Sequence, residues 1–434
     1  MEWIKKHKEI LLQIIVFFLF FVSSFFISHV FRSITCDEVW SYGFSYNISQ
    51  GMIIYKDFNV LQTPLYFMIA SLFIKVFGPY YLSIVIFSSL LTGMIGVFLF
   101  QKIRWKAFLA LIPFLFFTPS PYNILCTFLF FLILFLYSRE KDYDLWIAFL
   151  VGLLFVTKQH VGFVCFFPMM FYSRGKVKSF FAFLSPFLFF SLYLLLRGAF
   201  LPFIDYSFFG LFDFGESNTN LNYFFVILEG LVVFYLCYRL WKSKFQDKEA
   251  FYILMFQIMT VPIFDQGHFF VAFFPFFYYF LKEQTKFLLY GTSSFFVFFF
   301  CICYYALVFG HVHMEKDLLF LKAPDEVVSY LREVYDYFDG DLSHVYANSE
   351  FSYLLKLYYQ EPIGPYDLLM NGNMGTQKEE MFSSLQKHCQ EETCYFLIID
   401  DQTKQFSSMT QFVEEHYEEV GSLRVMKVYT SRKN

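Results

Sequence analysis

Two adjacent carboxylates, Asp37 and Glu38, follow the first long apolar run of this 434-residue chain and precede an aromatic, amphipathic stretch from Trp40 to Tyr46. A carboxylate so placed can take a proton from an acceptor hydroxyl while that oxygen attacks an anomeric carbon. General-base help of this kind is worth roughly 10²–10⁴-fold. The pair also suits the start of a helix, because Asp caps readily. Lys158, flanked by Gln159 and His160, offers a cation that would stabilise the charge on a departing phosphate. An interfacial lysine reaching its amine to water would carry the same signature. His268 can donate to a phosphate oxygen or a sugar hydroxyl, or serve structure alone. Tyr122 and Asn123 suit a ligand contact, or a simple turn with Pro119 and Pro121. Asp205, Asp213 and Glu216 share one polar stretch, where they bind an acceptor or solvate a loop; the sequence leaves both open.

The elements that must position these groups are membrane helices. Hydrophobic residues make up 57% of the chain and charged residues 16%, against about a quarter charged in soluble proteins. Residues 10–31, 80–100, 179–196, 221–238 and 287–309 are long apolar runs, and roughly 20 apolar residues suffice to span a bilayer. They lack strand alternation, so an all-α bundle is the expected membrane fold. The 69 Phe and 32 Tyr residues fit lipid-facing packing and imply no cofactor. A net charge of −4 argues against a nucleic-acid partner. The first run follows Lys5, Lys6 and Lys8, as a signal peptide would. However, Ser28-His29-Val30 leads into Phe31-Arg32 without a small-residue cleavage site, and further apolar segments follow. We read it as the first transmembrane helix.

Orientation follows from Lys and Arg, which are enriched in short cytoplasmic loops. The clusters are Lys5-Lys6-Lys8, Lys102-Arg104-Lys106, Arg139-Lys141, Arg174-Lys176-Lys178, Arg239 to Lys248, and Lys282-Lys286. Shorter apolar segments at 107–118, 123–138, 143–157, 160–172, 250–263 and 269–281 then give an even number of crossings between successive clusters. Residues 64–78 resist this parity. They begin at Pro64, contain Lys75 and end at Gly78-Pro79, so they are expected to dip in or lie at the interface. The result is about 11–12 transmembrane segments, a cytoplasmic N-terminus and an extracytoplasmic C-terminus. The orientation places Asp37-Glu38, Tyr122-Asn123, Lys158 to His160, the 198–220 loop and Asp265 to His268 on the outer side, at membrane ends. Ionisable groups at such depth are costly and usually functional or paired, which points to a shared outer site.

From residue 311 the composition changes to that of a small α/β domain. Two domains are therefore expected: a membrane module over 1–310, with its first external loop at 32–63, and an external domain over 311–434. Helical periodicity runs from Asp325 to Phe338, with further helices over Phe351–Tyr359 and Phe406–Tyr417. Strands are expected over His344–Ala347, Tyr395–Ile399 and Arg424–Tyr429, and their alternation with helices suggests a parallel sheet. Cys389 and Cys394 stand close enough to pair if the tail faces an oxidising compartment. No glycine-rich phosphate loop appears.

The first loop carries a resemblance. It reads Thr35-Cys36-Asp37-Glu38, then Gly51-Met52-Ile53-Ile54-Tyr55-Lys56-Asp57-Phe58, then Gln62-Thr63-Pro64-Leu65-Tyr66, then Phe77-Gly78. This resembles the acidic-pair first loop of the GT-C glycosyltransferases, in the bacterial group of dolichyl-phosphate-mannose mannosyltransferases and aminoarabinose transferases. In that group the loop commonly runs Asp-Glu, Gly-x-x-x-Tyr-x-Asp, Pro-Leu-x-Tyr and Phe-Gly. The resemblance extends weakly to Tyr122-Asn123, Lys158-Gln159 and His268-Phe269 followed by Pro275.

It implies a membrane glycosyltransferase of hexosyl type. The donor would be a sugar on a polyprenyl phosphate, the acceptor an extracytoplasmic glycan, lipid or protein, and the anomeric centre would invert. Asp37 matches the acidic first-loop residue near the reacting centre, with Glu38 orienting it or binding sugar. Lys158 and His268 would grip the donor phosphate, while Tyr122, Asn123 and Gln159 contact the sugar. Tyr55 and Asp57 would complete the binding set by holding the first-loop fold. Some members hold a divalent metal and others need none, so the cofactor stays open. The chain departs from the pattern at Asn123, where many relatives carry Asp. Two rival readings are a non-catalytic assembly protein, whose tail binds a partner, and a lipid or solute transporter. The latter would need polar residues through the midplane and often pseudo-repeated halves, and neither is evident.

Overall fold

The computed structural model describes residues 2–28, 36–110, 120–139, 143–218, 220–261, 263–283, 325–349, 351–399 and 404–431. Its first helices are α1 (Glu2–Phe26), α2 (Cys36–Ser49), α3 (Leu65–Phe77), α4 (Tyr81–Ile103), α5 (Pro121–Tyr137), α6 (Asp144–Phe155), α7 (Gln159–Tyr172) and α8 (Lys176–Leu196). A short α9 (Phe200–Ile204), a π-helical turn (Asp205–Phe209) and α10 (Gly210–Asn218) follow. Next come β1 (Asn220–Leu221), α11 (Tyr223–Lys242), α12 (Lys248–Phe256), β2 (Ile263–Phe264) and α13 (Gln266–Glu283). The tail holds α14 (Asp325–Tyr337), β3 (Val345–Ala347), α15 (Phe351–Tyr358), α16 (Lys378–Glu391), β4 (Tyr395–Ile399), α17 (Ser407–His416), β5 (Tyr417–Leu423) and β6 (Met426–Ser431). The run expected at 287–309, and residues 111–119 of the run expected at 107–118, lie outside the described residues.

The chain forms two compact units. The first comprises residues 1–33, 80–190 and 220–312. Among the described residues, four helices are long and apolar enough to cross a membrane, at His7–Phe26, Tyr81–Ile103, Lys176–Leu196 and Tyr223–Lys242. Their outward faces are apolar: Ile14, Phe18 and Val22 on α1, Leu188 and Phe189 on α8, and Ile227, Leu231 and Phe234 on α11 are all exposed. Contiguous apolar surface of this kind is unfavourable in water and suits lipid. Small residues bring the helices close. A side chain at Gly96 would collide with Phe20, one at Gly93 with Phe17, and one at Gly152 with the carbonyl of Phe183. Close backbone approach through small residues is the usual packing device where no hydrophobic force acts between helices.

The inward stripe of α11 is Glu229, Val232, Leu236 and Leu240. Its first member is a carboxyl, 5% exposed, and neither of its oxygens has a hydrogen-bond partner among the described residues. The apolar run at 221–238 gave no reason to single it out.

The second unit comprises residues 34–79, 191–219 and 313–434. The tail expected as a separate domain from residue 311 thus packs in one unit with the first loop and the 191–219 stretch. Helix α3 has 13 residues, about 20 Å at 1.5 Å per residue, too short to cross a hydrocarbon core of roughly 30 Å alone. The sheet order is β3-β4-β6-β5. Strands β3 and β4 are parallel, whereas β4–β6 and β6–β5 are antiparallel. The expected parallel sheet is therefore corrected to a mixed one. The unforeseen element is β5, a polar edge strand whose Glu418, Glu419 and Val420 face solvent. It hairpins onto β6 through Arg424, which takes a positive φ of 49°. Helix α16 was also unread, because only Phe382, Leu385 and Cys389 of its residues are buried. Cys389 and Cys394 form a disulfide that ties the end of α16 to the start of β4.

A glycine-containing turn, Asn371 to Thr376, anchors the tail within this unit. The buried carboxylate of Asp205 accepts from the Thr376 backbone N–H at 3.0 and 3.1 Å, and from its hydroxyl at 2.7 Å. Asp213 accepts from the N–H of Gly372 at 3.1 Å. Gly372 and Gly375 have φ of 92° and 56°. A Cβ at Gly375 would strike the Asp205 carboxylate, and one at Gly372 would lie 2.6 Å from Phe214 Cβ.

Two stability predictions follow from this packing. Gly375→Ala should destabilise the protein by about 1–3 kcal/mol from the left-handed backbone alone, with the clash on Asp205 adding to it. A melting temperature in detergent equal to wild type would contradict the tight turn. Glu229→Leu should raise the melting temperature, since replacing an unpartnered buried polar group by a well-packed apolar one is favourable. A fall instead would mean that the carboxyl has a partner in the membrane.

Candidate active site

In the second unit, α2 begins at the carboxylate pair. Asp37 and Glu38 occupy its first turn, where negative charge is stabilised by the helix dipole. Glu38 is buried and Asp37 partly so. The helix is fixed from its far side. Tyr42 donates to the carbonyl of Pro79 at 2.7 Å. Phe44 stacks on Phe58 at 5.9 Å and meets Phe67 and Tyr353 edge-on. Asn47 donates to the carbonyl of Ile363 at 2.8 Å.

The loop after α2 is built by the residues that carry its motif. Tyr55 is 2% exposed and has a positive φ of 69°. Its hydroxyl donates to the carbonyl of Gln62 at 2.6 Å, and its ring meets Phe203 at 5.1 Å. Burial pushes the Tyr55 phenol well above its ordinary range. Asp57 accepts from the N–H of Ile53 at 2.7 Å. The observed contacts of Tyr55 and Asp57 thus shape the loop. Asn59 donates to the carbonyls of Leu368 and Asn373, both at 3.1 Å. Asn47 and Asn59 went unnoticed as functional supports, because isolated amides leave no periodic or motif signal. Asp205 and Asp213, left open between acceptor binding and solvation, bind the tail's turn. Glu216 lies on α10, close after Asp213.

In the first unit, the polar residues expected at three separate turns come together around the start of α7. Lys158 occupies its N-cap position and is 8% exposed. Its ammonium donates to Asn123 Oδ1 at 2.9 Å and sits 5.3 Å from the centre of the Tyr122 ring. Asn123 in turn donates to Ser120 Oγ at 2.7 Å, at the start of α5. Gln159 is buried beside Lys158. His160 lies within electrostatic reach of both Lys158 and His268, and its Nε2 is buried without a hydrogen-bond partner among the described residues. The parallel pair β1–β2 brings together the approaches to α11 and α13. Asp265 follows β2 and accepts at Oδ1 from the His268 N–H at 2.8 Å and pairs with His268 Nδ1 at 2.9 Å. Burial pushes the Asp265 carboxyl up, but the hydrogen bonds and charge of His268 outweigh it and hold the group below its ordinary value.

This arrangement can bind an anion. The first N–H groups of a helix lack intrahelical partners and point at the N-terminus, which makes it a ready anion site. Here a lysine ammonium stands at that same N-terminus. Its partners include a neutral amide oxygen and an aromatic face. Sequence reasoning named Lys158, Asn123, Tyr122, Gln159 and His268 but not Ser120, whose role appears only through Asn123. Among the described residues no three His, Cys, Asp or Glu side chains gather as a metal site would require.

No protein-family model matches the chain, and no curated protein matches it. Two solved structures are similar. One is ArnT from Cupriavidus metallidurans bound to undecaprenyl phosphate, with a TM-score of 0.57 at 11% identity, covering 96% of this chain and 97% of that one. The other is the apo state of the same protein, with a TM-score of 0.56 at 12% identity and the same coverage. Likeness at such low identity speaks for the fold alone: the chain has an ArnT-like helical fold with a small C-terminal sheet, and its apolar helices are those of a multi-pass membrane protein.

Proposed function

We propose that the protein is a membrane glycosyltransferase that moves a sugar from a polyprenyl-phosphate donor to an extracytoplasmic acceptor. The observation that carries this reading is the Lys158 cluster at the start of α7, an anion-binding arrangement in a fold whose solved counterpart binds undecaprenyl phosphate. The acidic pair at the start of α2 supplies the complementary chemistry.

In the proposed reaction, Asp37 accepts the proton of an acceptor hydroxyl as that oxygen attacks the anomeric carbon. The bond between that carbon and the donor phosphate oxygen breaks with inversion, and polyprenyl phosphate leaves with the electron pair. Lys158 and the N-terminus of α7 stabilise the charge developing on the phosphate, with His268 as a further donor. Tyr122, Asn123 and Gln159 contact the sugar, and Glu38 orients Asp37. Tyr55 and Asp57 keep the first loop in shape. We place the N-terminus in the cytoplasm and the tail outside. The Cys389–Cys394 disulfide supports that side, because disulfides persist in oxidising compartments.

The test is incubation of purified protein in lipid with a panel of radiolabelled polyprenyl-phosphate sugars and total envelope glycans as acceptor. Wild type should release lipid phosphate coupled to labelled product. Asp37→Asn should lose about 10²–10⁴-fold in kcat while retaining donor binding. Lys158→Met should weaken donor binding. Full transfer by Asp37→Asn would remove it as the base, and failure to bind any donor would overturn the reading.

A further inference from the structure

The tail unit contains a half-open cleft of about 430 Å³, lined by Tyr337, Phe338, Asp339, Asp341, Ser343, His344, Val345, Thr393 and Tyr395. None of the catalytic or binding roles proposed above uses it. Its lining has two parts. Three aromatic rings form one part: Tyr337 stands edge-on to Phe338 at 5.0 Å, and Phe338 packs on Tyr395 at 5.0 Å. Tyr337 remains 47% exposed. Carboxylate, hydroxyl and imidazole groups form the other part, and among the described residues the lining contains no Lys or Arg.

The polar side is held in place by short local bonds. Asp341 Oδ1 accepts from the Ser343 N–H at 3.0 Å and from its hydroxyl at 2.6 Å. His344 Nδ1 lies 3.2 Å from His388 Nε2, so its ring orientation is set from behind. The disulfide at Cys394 sits between the two lining residues Thr393 and Tyr395 and pins that wall. The backbone at Asp339 and Gly340 takes positive φ of 51° and 82°, which turns the chain sharply at the rim.

This chemistry selects among ligands. The two carboxylates, Asp339 and Asp341, disfavour phosphate, sulfate and uronic acids through like-charge repulsion. The exposed Tyr337 ring and the partly buried Phe338 and Tyr395, beside fixed hydrogen-bonding groups, suit a ligand with one apolar face and an edge of hydroxyls, since such sites combine aromatic walls with a few placed polar groups. A pyranose ring has that form. We propose that this cleft is a saccharide-binding site that holds an uncharged sugar unit of the acceptor glycan. The proposal rests on the glycosyltransferase reading for the word acceptor, and on the cleft alone for the binding of sugar. It narrows the acceptor from glycan, lipid or protein to a glycan whose recognised unit bears no acidic group.

The experiment is saturation-transfer NMR on the full-length protein in nanodiscs, without any donor. The probes are maltose, cellobiose and N,N′-diacetylchitobiose as neutral sugars, with digalacturonate as the acidic control. At least one neutral disaccharide should bind, and digalacturonate should not. Tyr337→Ala and Asp341→Asn should each weaken that binding about ten-fold or more, while Tyr337→Phe keeps it; unchanged melting temperatures would confirm that the variants fold. Absence of binding by all three neutral sugars overturns the site, as does equal binding of digalacturonate or binding that survives both variants. The readout is independent of turnover. Sugar binding without transfer from any donor would leave the cleft standing and sink the glycosyltransferase reading, and transfer without sugar binding would do the reverse.

Discussion

Asp205 bonds to Thr376 across 171 residues of sequence, and much of the second unit is arranged around that contact. A buried carboxylate without donors would be strongly unfavourable. It therefore requires a turn that offers an N–H and a hydroxyl at one point, and Thr376 supplies both. The turn must also come close enough for those bonds, and only residues without a Cβ permit the approach at Gly372 and Gly375. Asp213 repeats the device one helix later. Hydrogen bonds to a charged group contribute about 1.5–3 kcal/mol each, so this small set of contacts outweighs a sizeable area of apolar packing. Asn47 and Asn59 extend the pattern from the first loop, donating to carbonyls of Ile363, Leu368 and Asn373. The loop that carries the acidic pair is thus built with the tail, as one body.

The elements legible in sequence are those that bury an apolar face. The bilayer leaves no alternative to a helix with all its backbone bonds internal, so α1, α4, α8 and α11 announce themselves by length and composition. Within the tail, α14, α15, β3 and β4 were legible because their buried residues recur at helical or strand spacing. What escaped is polar. Strand β5 is an edge whose side chains mostly face water, and α16 buries only three residues. Without β5 the antiparallel half of the sheet has no visible cause, and strands alternating with helices then suggest a parallel sheet. Glu229 escaped for the opposite reason, since one carboxyl among some twenty apolar residues barely alters a hydropathy average.

The candidate site was legible as a set of residue types at membrane ends, not as a set of partners. Lys158 and Asn123 are 35 residues apart, and no periodicity links them. Topology alone placed both at external turns. Where many relatives of the resembling group carry Asp, this chain has Asn123, whose neutral amide accepts from the ammonium. A carboxylate at that position would form an ion pair with Lys158 instead. The ammonium contributes a positive field at that turn.

That field acts in combination with the backbone. Lys158 stands at the N-cap of a 14-residue helix, so the helix dipole and the ammonium present the same sign at one end. In the proposed reaction a leaving phosphate gains negative charge on the oxygen released from carbon, and groups already oriented toward it would require no reorganisation at that moment. The Tyr122 ring below the ammonium and the Ser120–Asn123 bond behind it restrict how the lysine can move. The geometry around Lys158 is thereby held from two sides, which is what the proposed phosphate role requires of it.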